Sequence, residues 1–64
     1  MENVKTIKKA IELLKQRNQM LEASKIKAMS DHKFDLVKNI EKYISKNESM
    51  ILDFEFRLCK MENK

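Results

Sequence analysis

Two tracts of heptad-spaced apolar residues, out of phase with one another, most constrain this chain. The first runs Val4, Ile7, Ile11, Leu14, Leu21 and Ala28, with Asn18 and Lys25 filling the two gaps. The second runs Val37, Ile40, Ile44, Asn47, Ile51, Phe54, Leu58 and Met61. Alternating steps of three and four residues place each tract on one stripe of a helix. Because the phases differ, one straight helix cannot present both tracts as a single seam, and the chain must turn between them.

The turn falls in "MSDHK", residues 29–33. Ser30 or Asp31 can cap a second helix by accepting hydrogen bonds from its free N–H groups. Asp31 and Asp35 also suit the positive end of that helix dipole. The spacing predicts helices over about residues 3–29 and 31–61, joined as an antiparallel hairpin because the link is short. The chain has no glycine and no proline, so no residue is expected to take a left-handed conformation cheaply and none breaks a helix outright. "SKNE", residues 45–48, fits a capping box and offers a start for a third helix near Asn47. The heptad running unbroken through Asn47 favours one continuous helix. With the turn near Asp31, facing residues should total about 60–62 in number. Ile11 then lies near Ile51, Val4 near Leu58 and Leu21 near Ile40. Asn18 falls near Ile44 and Asn47 near Leu14, so the two seam asparagines are not expected to pair within one chain. An unpaired buried amide is costly. A second chain can supply its partner, which makes Asn18 and Asn47 candidate register residues of a dimer; the simpler alternative, favoured for Asn47 beside Ser45, Lys46, Glu48 and Ser49, is that both sit at the edge of a small core and touch water.

At 64 residues the chain makes one domain, 1–64, and its core is small. Scaffolds of this size are reinforced by disulfides, a metal, oligomerisation or unusually good helix packing. Cys59 is the single cysteine and His32 the single histidine, which excludes an internal disulfide and argues against a zinc site. Oligomerisation is also suggested by apolar residues beyond the seam. Ala10, Leu13 and Met20 widen the stripe of the first helix, and Leu36, Tyr43 and Met50 that of the second. Stripes this wide suit helices with two neighbours, as in a four-helix bundle. The expected fold is thus an all-α hairpin that dimerises into a four-helix bundle or coiled coil, with Leu13, Met20, Tyr43 and Met50 in the dimer core. Leu52, Phe56 and Cys59 lie further round, near heptad positions b and f, and form one patch by their spacing. A patch at such positions marks a candidate binding site for a protein partner; the equal alternative is a partly buried cluster covered by the chain end or by a second copy.

Charge is uneven. Residues 1–28 hold seven Lys and Arg against three Glu, whereas residues 29–64 hold seven of each sign. Lys5, Lys8, Lys9 and Lys15 make a modest basic face that nucleic acid could use. No aromatic residue interleaves with these lysines, and a solvated helix surface is the simpler reading. No catalytic constellation is present: there is one histidine, no glycine-rich phosphate loop is possible, and Asp53 and Glu55 point to different helix faces. His32 is placed in the turn, in water. Cys59 reads more readily as a small buried hydrophobe than as a redox site. No cofactor and no metal are expected. No apolar run reaches the ~18 residues of a membrane span, and "MENVKTIKKA" lacks the apolar block of a secretory signal. Those features and the lone cysteine point to a cytoplasmic protein.

In layout, the hairpin resembles the homodimeric RNA-binding hairpins that control plasmid copy number. "RNQM" at residues 17–20 followed by "LVKNIEKYI" at residues 36–44 is similar to the small sporulation aspartyl-phosphate phosphatases, which insert a Ser-Gln-x-Leu-Asp segment at a response regulator. Val37 stands here where that serine belongs and Glu41 where the aspartate belongs, so the activity is not carried over. The expected function is that of a small intracellular non-enzymatic regulator or adaptor, binding a protein partner through helix faces as a homodimer. The alternatives are a nucleic-acid-binding hairpin and a response-regulator-directed phosphatase-like hairpin.

Overall fold

A computed structural model describes residues 3–62. Two helices, α1 (Val4–Ser30) and α2 (Phe34–Glu62), pack along their full length as a hairpin. Asn3 starts α1: its side-chain Oδ1 accepts from the Thr6 N–H at 2.8 Å, and its backbone carbonyl from the Ile7 N–H at 3.0 Å. This is the standard satisfaction of free donors at a helix start. α2 runs unbroken through Ser45–Glu48, so no third helix begins there. In that stretch the seam residues Ile44 and Ile51 are held against α1, and burial outweighs the local capping signal.

The turn corrects the expected boundary. Ser30 is the last residue of α1 and Asp31 is its C-cap; neither caps α2. The Lys33 N–H donates to the Ala28 carbonyl at 2.9 Å and the His32 N–H to the Met29 carbonyl at 3.1 Å. Those two bonds make a Schellman motif, which requires a left-handed residue between them. His32 supplies it, with φ 58°. A left-handed conformation is therefore adopted in a chain without glycine, by a residue type that tolerates it better than most. Asp35 does lie in the first turn of α2.

Spending residues 31–33 on the turn moves α2 three residues later than expected and shifts the register. The Asn47 Nδ2 donates to Asn18 Oδ1 at 2.9 Å. The two asparagines thus pair within one chain, against expectation, and facing residues total 65 instead of 60–62. In that register every seam position of α1 meets one of α2: Val4 faces Met61, Ile7 faces Leu58, Ile11 faces Phe54 and Leu14 faces Ile51. Beyond the asparagines, Leu21 faces Ile44, Lys25 faces Ile40 and Ala28 faces Val37. Lys25 occupies a core position by laying its aliphatic stem in the seam, half-buried, while its Nζ reaches Glu41 Oε2 at 3.8 Å.

The asparagine pair divides the core in two. One cluster is Ile7, Ile11, Leu14 and Ile51, with Phe54, Leu58 and Met61 packed against it. The other, next to the turn, is Ala28, Val37, Ile40 and Ile44, with Leu21. The amide pair between them is part-buried and satisfied, so it removes the reason for seeking its partner in a second chain. Among the described residues only Ile7 is sealed to 1% exposure. A core this thin leaves much of both helices in contact with water.

Candidate protein-docking faces

α1 and α2 each present two flanks beside the seam, and the antiparallel packing brings like flanks together. Ala10, Leu13, Arg17 and Met20 share one flank of α1 by their three- and four-residue spacing. Leu36, Tyr43 and Met50, seven apart, share one flank of α2. The two flanks lie on the same side of the hairpin. One shallow depression there is lined by Arg17, Met20, Leu21, Tyr43 and Asn47, and a second by Ala10, Leu13, Leu14, Arg17, Met50 and Phe54. Arg17 borders both. Met20 is 72% exposed and Tyr43 61%, and Leu13, Leu36 and Met50 are also exposed. This apolar side carries the cations Arg17, Lys27 and Lys46; its acid, Asp53, is engaged by Arg57 at 3.2 Å.

The opposite side is built from charge. Glu22, Lys25, Glu41, Ser45 and Glu48 line a groove over the seam residue Ile44. Further along α2, Glu55, Leu58, Cys59 and Glu62 line another. Glu41, Glu48, Glu55 and Glu62 recur every seven residues, about 10.5 Å apart along the axis. Leu52 is 66% and Phe56 60% exposed, and Cys59 is exposed rather than buried as its residue type suggests. A helix position decides burial here: Cys59 lies off the seam, and α1 cannot cover it. The Lys60 ammonium sits 4.7 Å from the Phe56 ring centroid, a cation–π contact on an exposed aromatic. Three further exposed apolar residues, Ile26, Met29 and Phe34, gather around the turn.

The lysines form a third region. Lys5, Lys8 and Lys9 line a depression on α1 with Val4 and Glu12, and Lys15 lies two turns beyond Lys8. All four are exposed, and no aromatic side chain stands among them.

The structure therefore brings together Leu13, Met20, Tyr43 and Met50 on one side, and Leu52, Phe56 and Cys59 on the other. Asn18 and Asn47 lie in the intramolecular seam. Two features escaped sequence reasoning. The first is the central place of Arg17 on the apolar side, legible only once the register is known. The second is the glutamate row, whose seven-residue spacing was visible but is informative only when the helix is continuous past Asn47. Among the described residues no group of three or more His, Cys, Asp or Glu could hold a metal ion. No helix among them is long and apolar enough to cross a membrane. No protein-family model, curated protein or solved structure matches this chain.

Proposed function

We propose that this protein is a small, non-enzymatic intracellular regulator or adaptor that works by docking, and that it does so as a homodimer. Two hairpins join through the side bearing Leu13, Met20, Tyr43 and Met50, in an isologous four-helix bundle, and leave the opposite side to a protein partner. The observation that carries this reading is surplus surface. The hairpin exposes 5408 Å² at a mass of 7.7 kDa. A compact monomer of that mass exposes about 4300 Å², leaving a surplus of about 1100 Å². That surplus exceeds the ~800 Å² each partner contributes to a standard interface.

Five of the exposed large apolar residues, Leu13, Met20, Leu36, Tyr43 and Met50, share one side, as an isologous interface requires; Ile26, Met29, Phe34, Leu52 and Phe56 lie elsewhere. The hairpin measures 49 × 17 × 14 Å, so its broad side offers about 800 Å² even as a flat rectangle, the area of a standard interface per partner. A second copy is also the one partner present whenever the chain is made. For a fold whose core is this thin, that constant availability matters.

Cross-linking and size-exclusion chromatography with light scattering test the pairing: a Leu13→Glu/Met20→Glu variant should elute as a monomer where the wild type elutes as a dimer. The nucleic-acid alternative predicts binding of mixed-sequence RNA or DNA at low salt, lost as salt rises. Absence of binding at low salt removes it. A gain in dephosphorylation of a phosphorylated response regulator would favour the phosphatase-like alternative instead.

A further inference from the structure

We infer that the strip formed by Leu52, Phe56 and Cys59, with the glutamates beside it, is the docking site for a basic amphipathic helix of another protein. This deepens the docking function proposed above and rests on it. Leu52, Phe56 and Cys59 stand at i, i+4 and i+7, a straight apolar stripe about 10.5 Å long on the outer surface of α2. That is the spacing against which an incoming helix lays its own i, i+3, i+4 and i+7 anchors.

Charge selects the partner. Glu48 and Glu55 flank Leu52 at i−4 and i+3, and Glu55 and Glu62 flank Cys59 in the same way. A shared depression places Glu55 and Glu62 beside Cys59 at one end of the strip. Glu41 is bridged by Lys25 and Asp53 by Arg57. Among the described residues Glu48, Glu55 and Glu62 have no such ion pair, and Lys8 and Lys15 of α1 lie on the same side of the hairpin. On the far edge of the strip, Lys60 is held over the Phe56 ring. A helix with lysines or arginines beside its apolar stripe meets three carboxylates there. The same carboxylates repel the phosphates of nucleic acid and of anionic membranes. The strip and the apolar side lie on opposite flanks of α2, so a dimer formed through Leu13, Met20, Tyr43 and Met50 leaves the strip open.

The experiment uses the full chain and an amidated amphipathic peptide of leucine and lysine only, about 18 residues or five turns long, with a leucine–glutamate peptide as control. Binding is read by calorimetry, and protection of the exposed Cys59 thiol by its rate of reaction with a thiol reagent. The expected result is that the lysine peptide binds and slows Cys59 modification, and that the glutamate peptide does neither. Phe56→Glu should weaken binding at least about tenfold, or ~1.4 kcal/mol. Glu48→Gln/Glu55→Gln/Glu62→Gln should weaken it and flatten its salt dependence, with helicity unchanged. Several results would overturn the assignment: no binding, equal binding of both peptides, binding indifferent to both variants, or unfolding of the protein by Phe56→Glu, which would make the strip core. A wild type that is monomeric yet binds the peptide at this strip would reject the homodimer and leave the strip assignment standing. A dimer that binds nothing there would do the reverse.

Discussion

The two sides of this hairpin share one seam and differ in everything beside it. On one side the residues next to the seam are the half-buried Ala10 and the exposed, apolar Leu13, Met20, Leu36, Tyr43 and Met50, with Arg17, Lys27 and Lys46 among them. On the other they are Glu22, Glu41, Glu48, Glu55 and Glu62, with Lys8 and Lys15 on α1. The seam needs neither set, because its own residues already bury one another. A side that served only to keep the fold soluble would be charged like the second. Keeping large apolar groups in water costs solubility, and the proposed second copy would cover the first side. The second side combines a short apolar strip with a row of glutamates, and the proposed basic helix would be selected there by charge.

The largest expected effect separates the sides directly. Leu13→Glu/Met20→Glu should weaken self-association at least about a hundredfold, close to 2.7 kcal/mol, by sedimentation equilibrium. Leu52→Glu, an equally exposed change on the other side, should leave association within about twofold, a few tenths of a kcal/mol. If both variants remain dimeric, the apolar side is not the interface. If Leu52→Glu alone dissociates the protein, the roles of the two sides are reversed.

The next effect is set by the asparagine pair. Asn47→Leu strands the part-buried Asn18 amide and should cost about 1–3 kcal/mol in chemical denaturation at fixed protein concentration. Asn18→Leu/Asn47→Leu should recover most of that loss, because the seam becomes continuously apolar. A double variant as unstable as the single one would mean that the hydrogen bond is not what the asparagines contribute. A smaller effect should come from His32→Gly, which removes the cost of a left-handed residue at the helix C-terminus. We expect a gain of about 1 kcal/mol, or roughly 4–8 °C in Tm for a domain of this size. Self-association and peptide binding should be unchanged, which separates fold stability from the behaviour of either side.

The smallest effect has opposite signs on the two sides. In the proposed dimer the cations Arg17, Lys27 and Lys46 of both copies would share one interface. Added salt should therefore tighten self-association by a few tenths of a kcal/mol between 0.05 and 0.5 M, approximate limits spanning Debye lengths from above 10 Å to below 8 Å. Binding of a basic helix to the glutamate row should weaken over the same range. Equal salt dependence at both sites would contradict the charge assignment.

The hairpin itself was legible in the sequence, because two long heptad tracts of differing phase leave a two-helix fold little alternative. The continuous second helix was legible for the same reason. What was not legible was the register. It depends on how three residues of the turn are used, and a chain without glycine gives no sequence signal for the left-handed residue that His32 supplies. That single displacement accounts for the expected pairing of Asn18 with Ile44 and of Asn47 with Leu14, and for seeking the asparagines' partners in a second chain or in water. Membership of the apolar side was readable from spacing alone, since residues seven apart share a flank in any register. The exposure of Cys59 was not readable from its residue type, only from its place off the seam. Asn3 as the cap of α1 followed the usual preference for asparagine at that position and needed no tertiary information.

The most direct measurement of whether a second copy covers the apolar side is sedimentation equilibrium of the wild-type chain at tens of micromolar, roughly the range in which micromolar affinities register, with helicity read on the same sample by circular dichroism. A helical species of twice 7.7 kDa that dissociates on dilution with loss of helicity is the result expected of a hairpin that depends on its copy. A fully helical 7.7 kDa monomer at that concentration would contradict it.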